Sequence, residues 1–171
     1  SEFVAKASGG HIGRARRLAT DPNAKENRKN IMKLPFTIKD IATAFKAAQN
    51  LVEAAKADAL ADSEAKDELE ISKLKEAWGA SGSKLAAGGS KAVKELEKEQ
   101  KTRGTRMVRD YLDKALLDLA TLYRDVLLVQ SGSVDNLINQ DIKDEITKTA
   151  SSTTESKTLV KIQAILRARV N

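Results

Sequence analysis

Apolar residues step at threes and fours along most of this 171-residue chain, the spacing of amphipathic helices. From Leu96 to Gln130 that spacing puts Met107, Tyr111, Leu112, Ala115, Leu116, Leu119, Leu122, Tyr123 and Val126 on one stripe. The stripe is too wide for a single neighbouring helix to cover, so it predicts the central helix of a bundle. Arg106 and Asp110 lie four apart on its polar flank, where side chains meet on a helix surface, and a salt-bridged outer face is expected there.

Shorter elements precede it. Residues 2 to 8 read as a helix end stopped by Gly9 and Gly10, and a second short helix, HIGRARRLAT, stops before Asp21-Pro22. A third, Ala24 to Lys33, runs into Leu34-Pro35, so Pro35-Phe36 is expected to be a linker and the natural domain boundary. From Thr37, with Asp40 completing a box-like start, Ile38, Ile41, Phe45, Ala48, Val52, Ala55 and Ala59 trace a long amphipathic helix. Residues 62 to 78 follow, with Leu69, Leu74 and Trp78 as core candidates, and then the Gly/Ser-rich segment Gly79 to Gly89. The run SKAVKELEKEQKTRGTR leads into the central helix, with Gly104 either a kink or a tolerated glycine. Beyond Ser131-Gly132-Ser133, short helices are expected at Asp141 to Thr149 and Thr158 to Val170. The last carries Leu159, Ile162, Ile165 and Leu166 on one face.

Composition agrees with an all-α helical bundle. Hydrophobic residues make up 41% of the chain, charged residues 32%, aromatics 4%, and there are two prolines, a balance that favours helix over sheet. There is no cysteine, hence no disulfide framework and no thiolate chemistry, and no apolar run approaches the roughly 18 residues that span a bilayer. A cytoplasmic protein without membrane contact is expected. The opening SEFVAKAS is neither a signal peptide nor an initiator methionine and reads like the interior of a longer protein. Charge is uneven: Ser1 to Leu34 holds 8 basic and 3 acidic residues, and Pro35 to Asn171 holds 22 and 21.

Catalytic chemistry is hard to find. His11 is the single histidine and has no cysteine or carboxylate cluster beside it, so no metal is expected. Phosphate-loop, dinucleotide and nucleophile-elbow patterns are absent, and the acidic residues lie among lysines on amphipathic helices. No cofactor and no catalytic residue is assigned. The Arg14, Arg16 and Arg17 cluster, with Lys25, Arg28 and Lys29, leaves two readings open: phosphate-backbone contact, or an intraprotein and solvated face.

The stretches SGGHIGRARRLATDP and LEKEQKTRGTRMVRDYLDKALLDLATLYRDVLLVQSGS, with LINQD and SKTLVKIQAILRARV after them, resemble the delta-prime subunit family of bacterial DNA polymerase III clamp loaders in its actinobacterial form. The resemblance covers essentially the whole chain. It implies that residues 1–34 end the small helical lid of an AAA+ module. Residues 35–171 would form the C-terminal helical domain that joins other subunits in a collar. It also implies a non-catalytic part in loading the sliding clamp on primed DNA during replication, with DNA-directed DNA polymerase activity residing in other subunits. At the position where ATP-binding relatives carry a nucleotide-sensing arginine, this chain has Gly13, in line with a subunit that does not hydrolyse ATP.

The expected partners are the other clamp-loader subunits of a hetero-oligomeric ring, with DNA reached indirectly and the isolated fragment monomeric. Arg103, Arg106, Arg109 and Asp110 are candidates for subunit contact. Two alternatives stand beside this reading: a basic helical module that binds nucleic acid itself, and the lid or regulatory domain of another AAA+ ATPase.

Overall fold

The computed structural model describes residues 2–10, 12–78 and 88–170. His11 and residues 79–87 of the expected Gly/Ser-rich segment lie outside the described residues. The described chain is an all-α helical bundle: α1 Glu2–Ala7, α2 Ile12–Thr20, α3 Pro22–Thr37, α4 Ile41–Ala77, α5 Gly89–Gln130, a 3-10 turn Gln140–Ile142, α6 Lys143–Ser152 and α7 Glu155–Val170. No strand occurs among the described residues. Two compact units are formed, one by residues 1–47 and 113–171 and one by residues 48–112.

Local chemistry sets the helix ends. Asp21 caps α3 by accepting from the Asn23 amide at 2.9 Å, and Pro22 occupies the first turn, where a missing N–H costs nothing. At the other end α3 runs through Pro35 to Thr37. This corrects the expected linker at Pro35-Phe36. A proline near the end of a helix gives up one hydrogen bond, and the extra turn brings Phe36 against the core made by Met32, Leu122, Val126 and Ile146.

The cap of α4 is also displaced from the expected Thr37. Asp40 Oδ1 accepts from the Thr43 amide at 2.7 Å, and Thr43 Oγ1 accepts from the Asp40 amide at 3.0 Å. The two side chains satisfy each other's end of the helix reciprocally, so Asp40 is the cap and Thr37 closes the preceding helix. From there the two predicted helices fuse into one of 37 residues.

Helix α5, 42 residues long, stops where expected. The Ser133 amide donates to the Leu128 carbonyl at 2.8 Å and the Gly132 amide to Val129 at 3.1 Å. This paired closure requires a left-handed residue, and Gly132 supplies it with φ of 82°.

The first unit has two apolar cores. One gathers Met32, Leu122, Val126, Ile142, Ile146 and Ala150 around α5, with Phe36, Tyr123 and Val129 at its edge. The other joins Val4, Ala7 and Leu18, with Ala15, Ala24 and Ile138 packed on it. In the second unit Ala55, Ala59 and Ser63 are buried at spacings of four along α4, so small side chains form the closest-packed stripe there.

The apolar faces of α4 and α7 are only partly used. Ala55 and Ala59 are buried as expected, but Ile41, Phe45 and Leu60 are exposed, and so is Leu69, an expected core residue. Leu74 is half-buried and Trp78 is exposed, although its ring lies where a side chain on Gly88 would touch it. On α7, Ile162 and Ile165 are half-buried, whereas Leu159 and Leu166 are exposed at 46% and 45%. The single apolar face expected there is split between a packed side and an open one.

Candidate functional site

The most concentrated polar chemistry lies inside the first unit, on the apolar stripe of α5. Ala115, Asp118, Leu122 and Asp125 follow one another at intervals of three and four, and all four are buried. Two carboxylates are thus carried into an apolar core, where ionised groups require partners. Helices α2 and α3 and the segment after α5 provide them.

Arg28 on α3, 4% exposed, donates through Nε to Asp118 Oδ1 at 2.9 Å. Its Nη2 donates to Asn139 Oδ1. Arg14 on α2 donates through Nη2 to the same Asp118 oxygen. Asp118 therefore sits between two guanidinium groups from two different helices. Burial pushes its carboxyl above the usual carboxylate range, opposed by the positive charges and hydrogen bonds of Arg14 and Arg28. Arg14 Nη1 is buried with no hydrogen-bond partner, so that guanidinium is only half satisfied.

Asp125 holds the segment that follows α5. Its Oδ2 accepts from the backbone amides of Ile138 and Asn139 at 2.9 and 2.8 Å, and from Asn139 Nδ2 at 2.9 Å. Its Oδ1 accepts from Arg124 Nη1 at 2.8 Å, and the same Arg124 nitrogen reaches the Asn136 carbonyl at 3.2 Å. Asn139 is completely buried and links the two halves: it accepts from Arg28 and donates to Asp125. The result is one connected network, Arg14–Asp118–Arg28–Asn139–Asp125, that ties α2, α3 and the chain before α6 to the central helix.

Further along the same unit, Arg169 near the end of α7 donates to both oxygens of Asp113, at 2.7 and 3.1 Å. The bidentate guanidinium holds the Asp113 carboxyl below its usual value. Lys161 lies 5.1 Å from the centre of the Tyr123 ring, within reach of a cation–π attraction. Burial raises the Tyr123 hydroxyl above its ordinary range. These contacts fix one side of α7 to α5.

The second unit has its own polar cluster between α4 and α5. Arg103 Nη2 donates to Glu70 Oε2 at 2.6 Å and also to Asp67 Oδ1. Gln100 Nε2 donates to the Asp67 carbonyl at 3.0 Å and to Glu70 Oε2 at 3.2 Å. Hydrogen bonds from Arg103 and then Gln100 depress the Glu70 carboxyl, and the Arg103 guanidinium is correspondingly raised. Tyr111 donates its hydroxyl to Asp62.

The residues singled out in the sequence fall into different surroundings. Of the three arginines read as phosphate contacts, Arg14 is taken up by Asp118 and Arg17 lies against Asp21 at 3.4 Å, while Arg16 is exposed. Gly13 is exposed in the first turn of α2. Of the candidates for subunit contact, Arg103 is engaged within its own unit by Asp67 and Glu70, whereas Arg106, Arg109 and Asp110 are exposed.

Asp118, Asp125 and Asn139 were not among the predicted residues, and Arg28 was noted only as part of the basic cluster. A signal was present: two aspartates seven apart interrupt the apolar register of α5 between Ala115 and Val126. No group of three or more His, Cys, Asp or Glu side chains suited to a metal ion occurs among the described residues. Among them, no helix is long and apolar enough to cross a membrane. Comparison with protein-family descriptions, with curated proteins and with solved structures returned no match for this chain.

Proposed function

We propose that this chain is the C-terminal part of a delta-prime-type subunit of a bacterial DNA polymerase III clamp loader, and that it acts as a non-catalytic assembly domain. In this reading residues 1–34 end a lid module and residues 35–171 form the collar domain that docks on neighbouring subunits. It works in the cytoplasm, in a ring that places the sliding clamp on primed DNA.

The observation that carries the proposal is the open side of α7. Leu159, Leu166 and Val170, at 46%, 45% and 87% exposed, recur at seven and four residues and so line one side of the helix. Thr158, which is buried, and the half-buried Ile162, Ile165 and Arg169 lie on the packed side. An apolar stripe next to a face pinned by Asp113 and Tyr123 is held in a fixed orientation, and rigid exposed apolar surface is what an assembly contact requires. The resemblance carried by the sequence segments named above suggests the identity of the assembly. The buried network supports the reading in a second way, because its charged groups, Arg14 Nη1 excepted, are engaged in holding helices together.

The test is reconstitution. A delta-prime subunit lacking residues 35–171 is to be co-expressed with the ATPase and clamp-opening subunits of an actinobacterial clamp loader. Loss of the ring, with nucleotide binding by the isolated ATPase subunits retained, supports the proposal. A ring that assembles normally without the domain overturns it.

A further inference from the structure

Residues 1–47 contain ten Lys and Arg against four Asp and Glu, a surplus of six, while the remaining 124 residues hold twenty of each. The whole net charge of the chain therefore originates in the helices from α1 to the start of α4. Inside that segment the arginines are largely occupied: Arg14 and Arg28 by Asp118, and Arg17 by Asp21. The charge left facing solvent is carried by other residues. Lys25, Lys29 and Lys33, spaced by four along α3, are all exposed, and so is Arg16 on α2.

We propose that the exposed side of α3 contacts the phosphate backbone of a nucleic acid through Lys25, Lys29 and Lys33. Successive lysines are separated by about 6 Å along the helix axis. The phosphates of one DNA strand wind around the duplex, and the three long, flexible lysine side chains can each reach a separate one. Asn30, exposed on α3 three residues before Lys33, adds a neutral donor of the kind that bonds phosphate oxygens. Glu26 is the one acidic residue of α3.

The buried side of the same helix explains why the row is presented rigidly. Arg28 and Met32 anchor α3 to α5, one through Asp118 and the other through the apolar core. A lipid surface fits less well, because the exposed residues three or four places from the lysines, Pro22, Glu26, Asn30 and Thr37, provide no large apolar side chain to enter the acyl region. This inference is independent of the assembly proposal and concerns a different surface.

The experiment uses the 171-residue chain and a fluorescein-labelled DNA duplex, with anisotropy followed from 25 to 200 mM KCl. Wild type is expected to bind with a log–log salt slope near −3, since three phosphate contacts contribute about −2.7. The variant Lys25→Gln/Lys29→Gln/Lys33→Gln should lose most of that slope. A control, Lys94→Gln/Lys98→Gln/Lys101→Gln, removes three exposed lysines from α5 and should retain it. The inference is overturned if wild type does not bind at 25 mM KCl or if both variants lose slope equally. It is also overturned if lysine-dependent binding is seen with vesicles of anionic phospholipid but not with DNA. Circular dichroism of both variants checks that helix content is retained.

Discussion

Arg28 and Asp118, ninety residues apart in sequence, meet in the interior at 2.9 Å, each about 5% exposed. Arg14 approaches the same carboxylate from a second helix. Truncating Asp118 would take away the carboxylate that both buried guanidiniums share, and the loss of one partner of a buried pair costs about 3–5 kcal/mol. We therefore expect Asp118→Ala to lower the urea midpoint by a corresponding amount. Arg14→Met and Arg28→Met combined with Asp118→Leu should lose less than Asp118→Ala alone, because apolar replacement then removes the carboxylate together with both guanidiniums that share it. A triple variant weaker than the single one would show that the charged cluster itself is the main source of stability.

Asp125 secures the segment before α6 through two backbone amides and the Asn139 side chain. Asp125→Ala strands both amides in a site from which water is excluded, and each unsatisfied donor costs about 1–3 kcal/mol. Hydrogen exchange should then accelerate at Ile138 and Asn139 far more than at mid-helix amides of α4. Uniform acceleration throughout the chain would indicate global loosening in place of the local release expected.

Gly104 lies inside α5, and a methyl group added to it would meet nothing within 4 Å. The sequence left open whether it kinks the helix; α5 continues through it without interruption. Replacing a helical glycine by alanine restricts the unfolded chain and is worth about 0.5–1 kcal/mol. Gly104→Ala should raise the thermal midpoint by a few degrees, and a lowered midpoint would mean that the position is covered.

Stability should respond to acid through Glu70 and Asp113. Both carboxyls are held below their ordinary values, Glu70 first by hydrogen bonding to Arg103 and Asp113 first by hydrogen bonding to Arg169. A depressed carboxyl adds stability that is fully present above the unfolded value of about 4 and is lost as pH falls through the lower folded value. Asp118, raised by burial, contributes with the opposite sign. Comparison with Arg103→Gln isolates the Glu70 part: its urea midpoint should fall less steeply than wild type below pH 4, and parallel curves would contradict the assignment.

The helical class, the break at Asp21-Pro22 and the end of α5 at Gly132 were legible in the sequence because each depends on local chemistry: composition, proline geometry and a glycine at positive φ. Other features depended on what lies across space. Pro35 reads as a helix stop, but the gain from placing Phe36 on the core carries α3 past it. Periodicity identified apolar faces on α4 and α7 without revealing whether another helix covers them, so Phe45 and Leu166 read as core and are exposed. Among the site residues, Arg14 was noticed for its charge, yet its partner Asp118 lies 104 residues away and nothing local joins them.

The central claim is assembly through the open side of α7. The direct measurement is light scattering coupled to size exclusion, on the proposed full-length delta-prime-type subunit mixed with the proposed ATPase and clamp-opening partners, as wild type and as Leu159→Asp/Leu166→Asp. Both side chains are about half exposed, so the variant should keep wild-type helix content. The account predicts a ring-sized complex for wild type and separate subunits for the variant. A variant that enters the ring as well as wild type would contradict it.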